Sequence, residues 1–216
     1  MDKENDWRIN TVTHTTKDWM NPWTNQIVKS GIRLEVVATV KNKVKKEFHF
    51  PIPNASAMML NASRRAYRDS LILRRKNKID IDNSKGFSSA SYAIDYLERV
   101  MESVLCAHTA LEAFSNEIIP DDYIYNGIDR HKEPQKMDKL AIERNLSLEI
   151  KLDKILPEVL NTKTPKGRMC WESFSKLNKL RNRIIHMKTI DRRSINFEET
   201  SIWNALVQSD ASIINY

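Results

Sequence analysis

The chain has 216 residues, 41% of them hydrophobic and 29% charged, which is the make-up of one globular domain with at most a small appendage and excludes a rod or a wholly disordered tail. At this size roughly 70% of the unfolded surface can be buried without disulfide or metal staples. The formal net charge of +7 favours a polyanionic partner, while only four glycines leave no Gly-rich phosphate loop and so remove P-loop and dinucleotide-binding enzymes.

Met1 to Asn10 is polar and mixed in charge, unlike a signal peptide, and no apolar run approaches the roughly 18 residues needed to span a bilayer. A soluble, cytoplasmic protein without a membrane partner is expected. Residues 1–53 read as a β-rich extension. Ile32, Leu34, Val36, Ala38 and Val40 alternate, as do Val44, Phe48 and Phe50 after the KNK stretch. This predicts one β-hairpin over Ile32 to Phe50, closed by Pro51 and Pro53, with Trp7, Trp19 and Trp23 packed around it or against helices.

From residue 54 the periodicity becomes helical, and 54–216 is expected to be an up-and-down bundle, giving an α+β, mainly α protein. A helix over Ser56 to Asn77 carries Arg64, Arg65 and Arg68. Ser88 or Ser89 caps a long helix to about Ile119, whose apolar stripe is Ile94, Leu97, Met101, Val104, Leu105, Leu111, Phe114 and Ile118. Asp121 to Pro134 reads as a loop, followed by helices at Met137 to Arg144, Ser147 to Leu160, Met169 to Met187 and Phe197 to Gln208. Cys106 and Cys170 read as small core hydrophobes. His14, His49 and His131 are scattered with no ligand partners at zinc spacing, and Asp80 and Asp82 sit in a polar loop. No cofactor is expected.

The segment KLNKLRNRIIHMK carries the chemistry. On a helical wheel starting at Leu177, the residues Leu177, Leu180, Ile184 and Met187 cluster near about 320° and face the core, while Asn182 and His186 lie near about 140° and 180° on the far side. Arg181 flanks them, and Ile185 is apolar beside the polar group, which calls for a partner subunit or a second helix to cover it. An imidazole serves as base and then acid, and a guanidinium stabilises phosphate charge.

Arg181-Asn182-Arg183-Ile184-Ile185-His186 resembles the Arg-polar-xxx-His motif of the HEPN family, helical bundles of toxin–antitoxin, abortive-infection and CRISPR-associated proteins. HTALEAFSNEI on the earlier helix is also similar to a HEPN first-half helix, so the resemblance covers roughly Ser88 to Gln208. It implies metal-independent RNA cleavage by a homodimer that meets through this helix face, with Arg181 stabilising charge, His186 as acid–base residue and Asn182 orienting. Glu112 is similar to an acidic residue that many members place beside the motif, and it lies in a ladder with His108 and Asn116. Arg64, Arg65, Arg68, Arg183 and Lys188 are the candidate RNA-contacting cations. An anti-phage or toxin role, with an antitoxin or defence-system partner, follows by family analogy. Some members are inactive, so the alternative is a non-catalytic RNA- or protein-binding module or a regulatory subunit of a defence complex.

Overall fold

The computed structural model describes residues 6–9, 12–22, 24–76, 87–128, 134–192 and 201–208, and within them the chain is α+β and mainly helical, with strands leading and helices following. It divides into two units, Met1–Met58 and Met59–Tyr216. The boundary falls in the first turn of helix α1 (Ala55–Lys76), just beyond the expected break at Pro53.

The first unit holds strands β1 (Val12–His14), β2 (Trp19–Met20), β3 (Ile27–Val28), β4 (Arg33–Glu35), β5 (Val37–Lys41) and β6 (Glu47–Pro51). They form three antiparallel ribbons, β1–β4, β2–β3 and β5–β6. The single strand expected over Ile32 to Val40 is therefore two. β4 half-buries Arg33 and Glu35, whereas β5 half-buries Ala38 and Val40, so the inward phase shifts by one residue at Val36. A change of partner strand causes the shift: β4 lies against β1, and β5 turns back on β6. The true hairpin is Val37–Pro51, and its turn is built by Asn42, whose side-chain oxygen accepts the Val44 and Lys46 amides at 3.0 Å each. Among the described residues of this unit none is buried, and Trp7, Trp19, Phe48 and Phe50 are exposed. Trp23 lies outside the described residues.

In the second unit α1 presents a face of small residues, Ser63, Ala66 and Ser70, to helix α2 (Ala90–Ile118). Ser103 Oγ donates to the Ser63 carbonyl at 3.0 Å across that buried contact. Ser89 caps α2 by accepting the Tyr92 amide, and Ile119 turns extended ahead of Pro120 to end it. The buried line of α2 runs through Tyr96, Val100, Ser103, Val104, Ala107 and Ala110, while Ile94 and Phe114 of the expected stripe are exposed. α6 packs along α2, and α1 touches it where Ser63 meets Ser103, so small residues line the places of close approach while Ile94 and Phe114 fall off them.

Beyond α2 the stretch read as a loop contains a ribbon, β7 (Tyr125–Ile128) with β8 (Pro134–Met137). Gly, Asn and Pro hide it from a propensity argument; Tyr125 and Met137 anchor it in a core with Ile119, Ile142, Ile155 and Leu156. Helix α3 (Lys139–Asn145) is capped by Asp138. Ser147 caps α4 (Leu148–Ile150), which continues through a π-helical stretch, Lys151–Ile155, into α5 (Leu156–Val159). Helix α6 (Met169–Ile185) follows, then a 3-10 turn, Thr189–Arg192, and α7 (Ile202–Gln208). Residues 197–200 of the expected last helix lie outside the described set. The larger core joins Tyr96, Val100, Val104 and Ala107 of α2 to Leu177, Leu180 and Ile184 of α6 and to Ile202 and Leu206 of α7. Cys170 is exposed, against expectation, in the first turn of α6. Cys106 is half-buried; burial and the neighbouring Glu102 push its thiol pKa up, against the opposing charge of Arg65. No described helix is long and apolar enough to cross a membrane.

Candidate active site at the end of the sixth helix

The face that α6 buries, Phe174, Leu177, Leu180 and Ile184, sets the direction of everything else on it. Asn182, Ile185 and His186 are exposed and Arg181 is half-buried. Arg181 Nη1 donates to the Asn182 side-chain oxygen at 2.9 Å, which ties the guanidinium to the amide beside it. His186 is where the helix stops: its amide still donates to the Asn182 carbonyl at 3.0 Å, but its own φ and ψ of -111° and 55° leave the helix. Met187, expected in the core, is consequently exposed, because the wheel does not extend past Ile185.

Asp191 closes the turn after His186. Its carboxylate accepts Arg183 Nη2 at 2.7 Å, the Lys188 amide at 2.7 Å and the Ile202 amide at 3.0 Å, and its carbonyl accepts Trp203 Nε1 at 2.8 Å. Burial opposes its ionisation, yet the two amides and the guanidinium outweigh it and hold the carboxyl below the usual range. Arg183, expected to contact RNA, is thus engaged by a buried carboxylate; Lys188 lends its amide to the same clasp and is exposed.

On α2, His108 is only 5% exposed, and the Asn178 side-chain oxygen of α6 accepts from its Nε2 at 3.2 Å. Burial lowers the His108 pKa; the Asn178 bond opposes, Arg181 pushes further down and Glu112 pushes up. Glu112 and Arg181 therefore both bear on the same imidazole across the α2–α6 seam. Glu112 Oε1 also lies 3.4 Å from Nζ of Lys151, whose side chain is 0% exposed. That ammonium also donates to Asn116 Oδ1 at 2.9 Å and to the Glu143 carbonyl at 3.2 Å, so each of its three hydrogens has an acceptor.

The structure thus brings Arg181, Asn182 and His186 to one exposed helix end, while the Glu112 carboxylate lies against Lys151, and among the described residues no hydrogen bond or ion pair joins it to those three. It does not bring Arg64, Arg65 and Arg68 into that group: they are exposed on α1, and among the described residues no hydrogen bond or ion pair joins them to the Arg181–His186 segment. Three residues escaped the sequence reading. Asn178, one turn before Asn182, was signalled only by its i, i+4 spacing; Lys151 was hidden by its charge among apolar neighbours. Asp191 had no local sign, because Ile202 and Trp203 reach it from a distant segment. Among the described residues no group of three His, Cys, Asp or Glu side chains is placed to hold a metal ion. His49 Nδ1 pairs with Thr39 Oγ1 at 2.8 Å in the first unit; His131, Asp80 and Asp82 lie outside the described residues. No protein-family model, curated protein or solved structure matches the chain.

Proposed function

We propose that the chain is a metal-independent endoribonuclease of HEPN type, acting as a homodimer in the cytoplasm. The observation that carries this reading is the exposure of Asn182 and His186, with Arg181 tied to Asn182, on the side of α6 opposite its buried residues. In the proposed reaction the 2′-hydroxyl of RNA attacks the adjacent phosphorus. His186 takes the hydroxyl proton, Arg181 stabilises the charge on the phosphate oxygens, and the 5′-oxygen leaves with a proton returned by an imidazole. The products are a 2′,3′-cyclic phosphate and a 5′-hydroxyl, with no oxidant, reductant or cofactor consumed. Asn182 orients the guanidinium, and Glu112 acts from the seam.

Ile185, 48% exposed beside this polar group, supports a second copy covering the face. Two motifs meeting there would supply one imidazole as base and the other as acid. A toxin or anti-phage role, with a controlling partner protein, extends the same reading. The second reading, a non-catalytic RNA- or protein-binding module or regulatory subunit, is favoured by the first unit, in which Trp7, Trp19, Phe48 and Phe50 are exposed and none of the described residues is buried.

The test is incubation of wild type and His186→Ala with labelled total RNA in EDTA. Cleavage by the wild type alone, leaving cyclic or 3′-phosphate ends, is expected; intact RNA in both reactions counts against the nuclease.

A further inference from the structure

The β5–β6 ribbon has two unlike faces. On one, Thr39 bonds His49 across the strands and Lys41 pairs with Glu47 at 3.2 Å, so the polar groups satisfy one another. On the other, Phe48 and Phe50 stand opposite Val40 and Ala38, with ring centroids 5.9 Å apart and planes 30° from parallel. These rings are 50% and 38% exposed. At the tip Lys43, Lys45 and Lys46 are exposed and make no ion pair among the described residues. The tip has a defined shape: the Asn42 side chain takes two amides, and Lys45 sits in the left-handed region at φ 61° with its amide on the Asn42 carbonyl.

We propose that this ribbon is a docking surface for single-stranded RNA, with bases stacking on Phe48 and Phe50 and phosphates held by Lys43, Lys45 and Lys46. Two features select this occupant. A flat aromatic face takes any unstacked base but none held inside a duplex, and cations beside it complement a polyanion. A protein covering the same ribbon would have to pair or strand those three ammonium groups. The proposal rests on the ribonuclease reading for the identity of the polymer, and deepens it by naming the strand state of the substrate and a second set of residues, outside the Arg181–His186 segment, that binds it.

The experiment titrates full-length His186→Ala protein, in EDTA, against a fluorescein-labelled ten-nucleotide oligouridine and against an RNA duplex of matched charge, at several KCl concentrations. The single strand is expected to bind more tightly, with log K falling against log salt with a slope of about -2 for three phosphate contacts. Phe48→Leu with Phe50→Leu keeps the ribbon apolar and should weaken binding about tenfold or more with the slope unchanged. Lys43→Gln, Lys45→Gln and Lys46→Gln together should flatten the slope toward zero. Circular dichroism identifies a variant that has failed to fold, and the lysine set, all at the exposed tip, then carries the test.

Equal affinity for duplex and single strand, or a folded leucine variant that binds as the parent does, overturns the proposal. So does protection of the Phe48–Phe50 amides from hydrogen exchange by a protein partner but not by RNA. Cleavage is scored separately with wild type. RNA that is cut but not bound by the ribbon strikes only this inference; RNA that is bound but never cut strikes only the nuclease.

Discussion

Replacing Lys151 by methionine asks whether the buried ammonium holds α2 to the π-helical stretch. The side chain is 0% exposed and donates to Asn116 Oδ1, the Glu143 carbonyl and Glu112 Oε1. A hydrogen bond to a charged group contributes about 1.5–3 kcal/mol. Glu112, 39% exposed, regains water when the ammonium goes, so its share is discounted for screening. Methionine keeps the volume and avoids the cost of burying a charge, which offsets part of the remaining loss. The net is a destabilisation of about 2–3 kcal/mol, or a melting temperature lower by about 5–10 °C for a chain of this size. Urea unfolding followed by circular dichroism measures it. Adding Glu112→Gln should change the result by less than about 1 kcal/mol, because the Glu112 arm is the longest and wettest of the three. A Lys151→Met protein within about 0.5 kcal/mol of wild type would refute the argument that these bonds secure the seam.

His186→Ala and Arg181→Ala should each abolish RNA cleavage while shifting stability by less than about 0.5 kcal/mol, since His186 is exposed past the helix end and Arg181 bonds the exposed Asn182 rather than the core; unfolding of either variant would make the residues structural. Asp191 has a depressed carboxyl pKa, so the stability it contributes is present above the ordinary carboxylate value of 3.8 and is lost as pH falls through its lower folded value. Melting curves of wild type and Asp191→Asn should differ at neutral pH and converge in acid; a gap that widens below pH 4, to round numbers about the unfolded value, would reverse the sign. Leu206, 0% exposed where α7 meets α2 and α6, should lose about 2–5 kcal/mol on truncation to alanine in urea unfolding, whereas exposed Leu160 should lose little.

Much of the architecture was legible because it is local. Ser89 and Ser147 cap their helices in the chain itself, Pro120 ends α2, and the alternation of Leu177, Leu180 and Ile184 locates the buried side of α6 without reference to any other segment. The same reasoning leaves Asn182 outward, and His186, exposed just past the helix end, follows it, so the candidate segment could be read from one helix. What failed was reasoning that needed a partner, namely the phase shift at Val36, the β7–β8 ribbon, and the exposure of Ile94, Phe114 and Cys170, and the extension of the wheel past the end of α6 to Met187.

Composition, charge and periodicity by themselves determined a strand-then-helix chain, the faces of its helices and the Arg181–His186 segment, since these depend on spacing along one backbone. Tertiary structure alone decided that Lys151 is buried and Asp191 clasps the turn after His186. A charged side chain is stable in a protein interior only when distant groups supply its hydrogen bonds, and no local pattern encodes where those groups will come together.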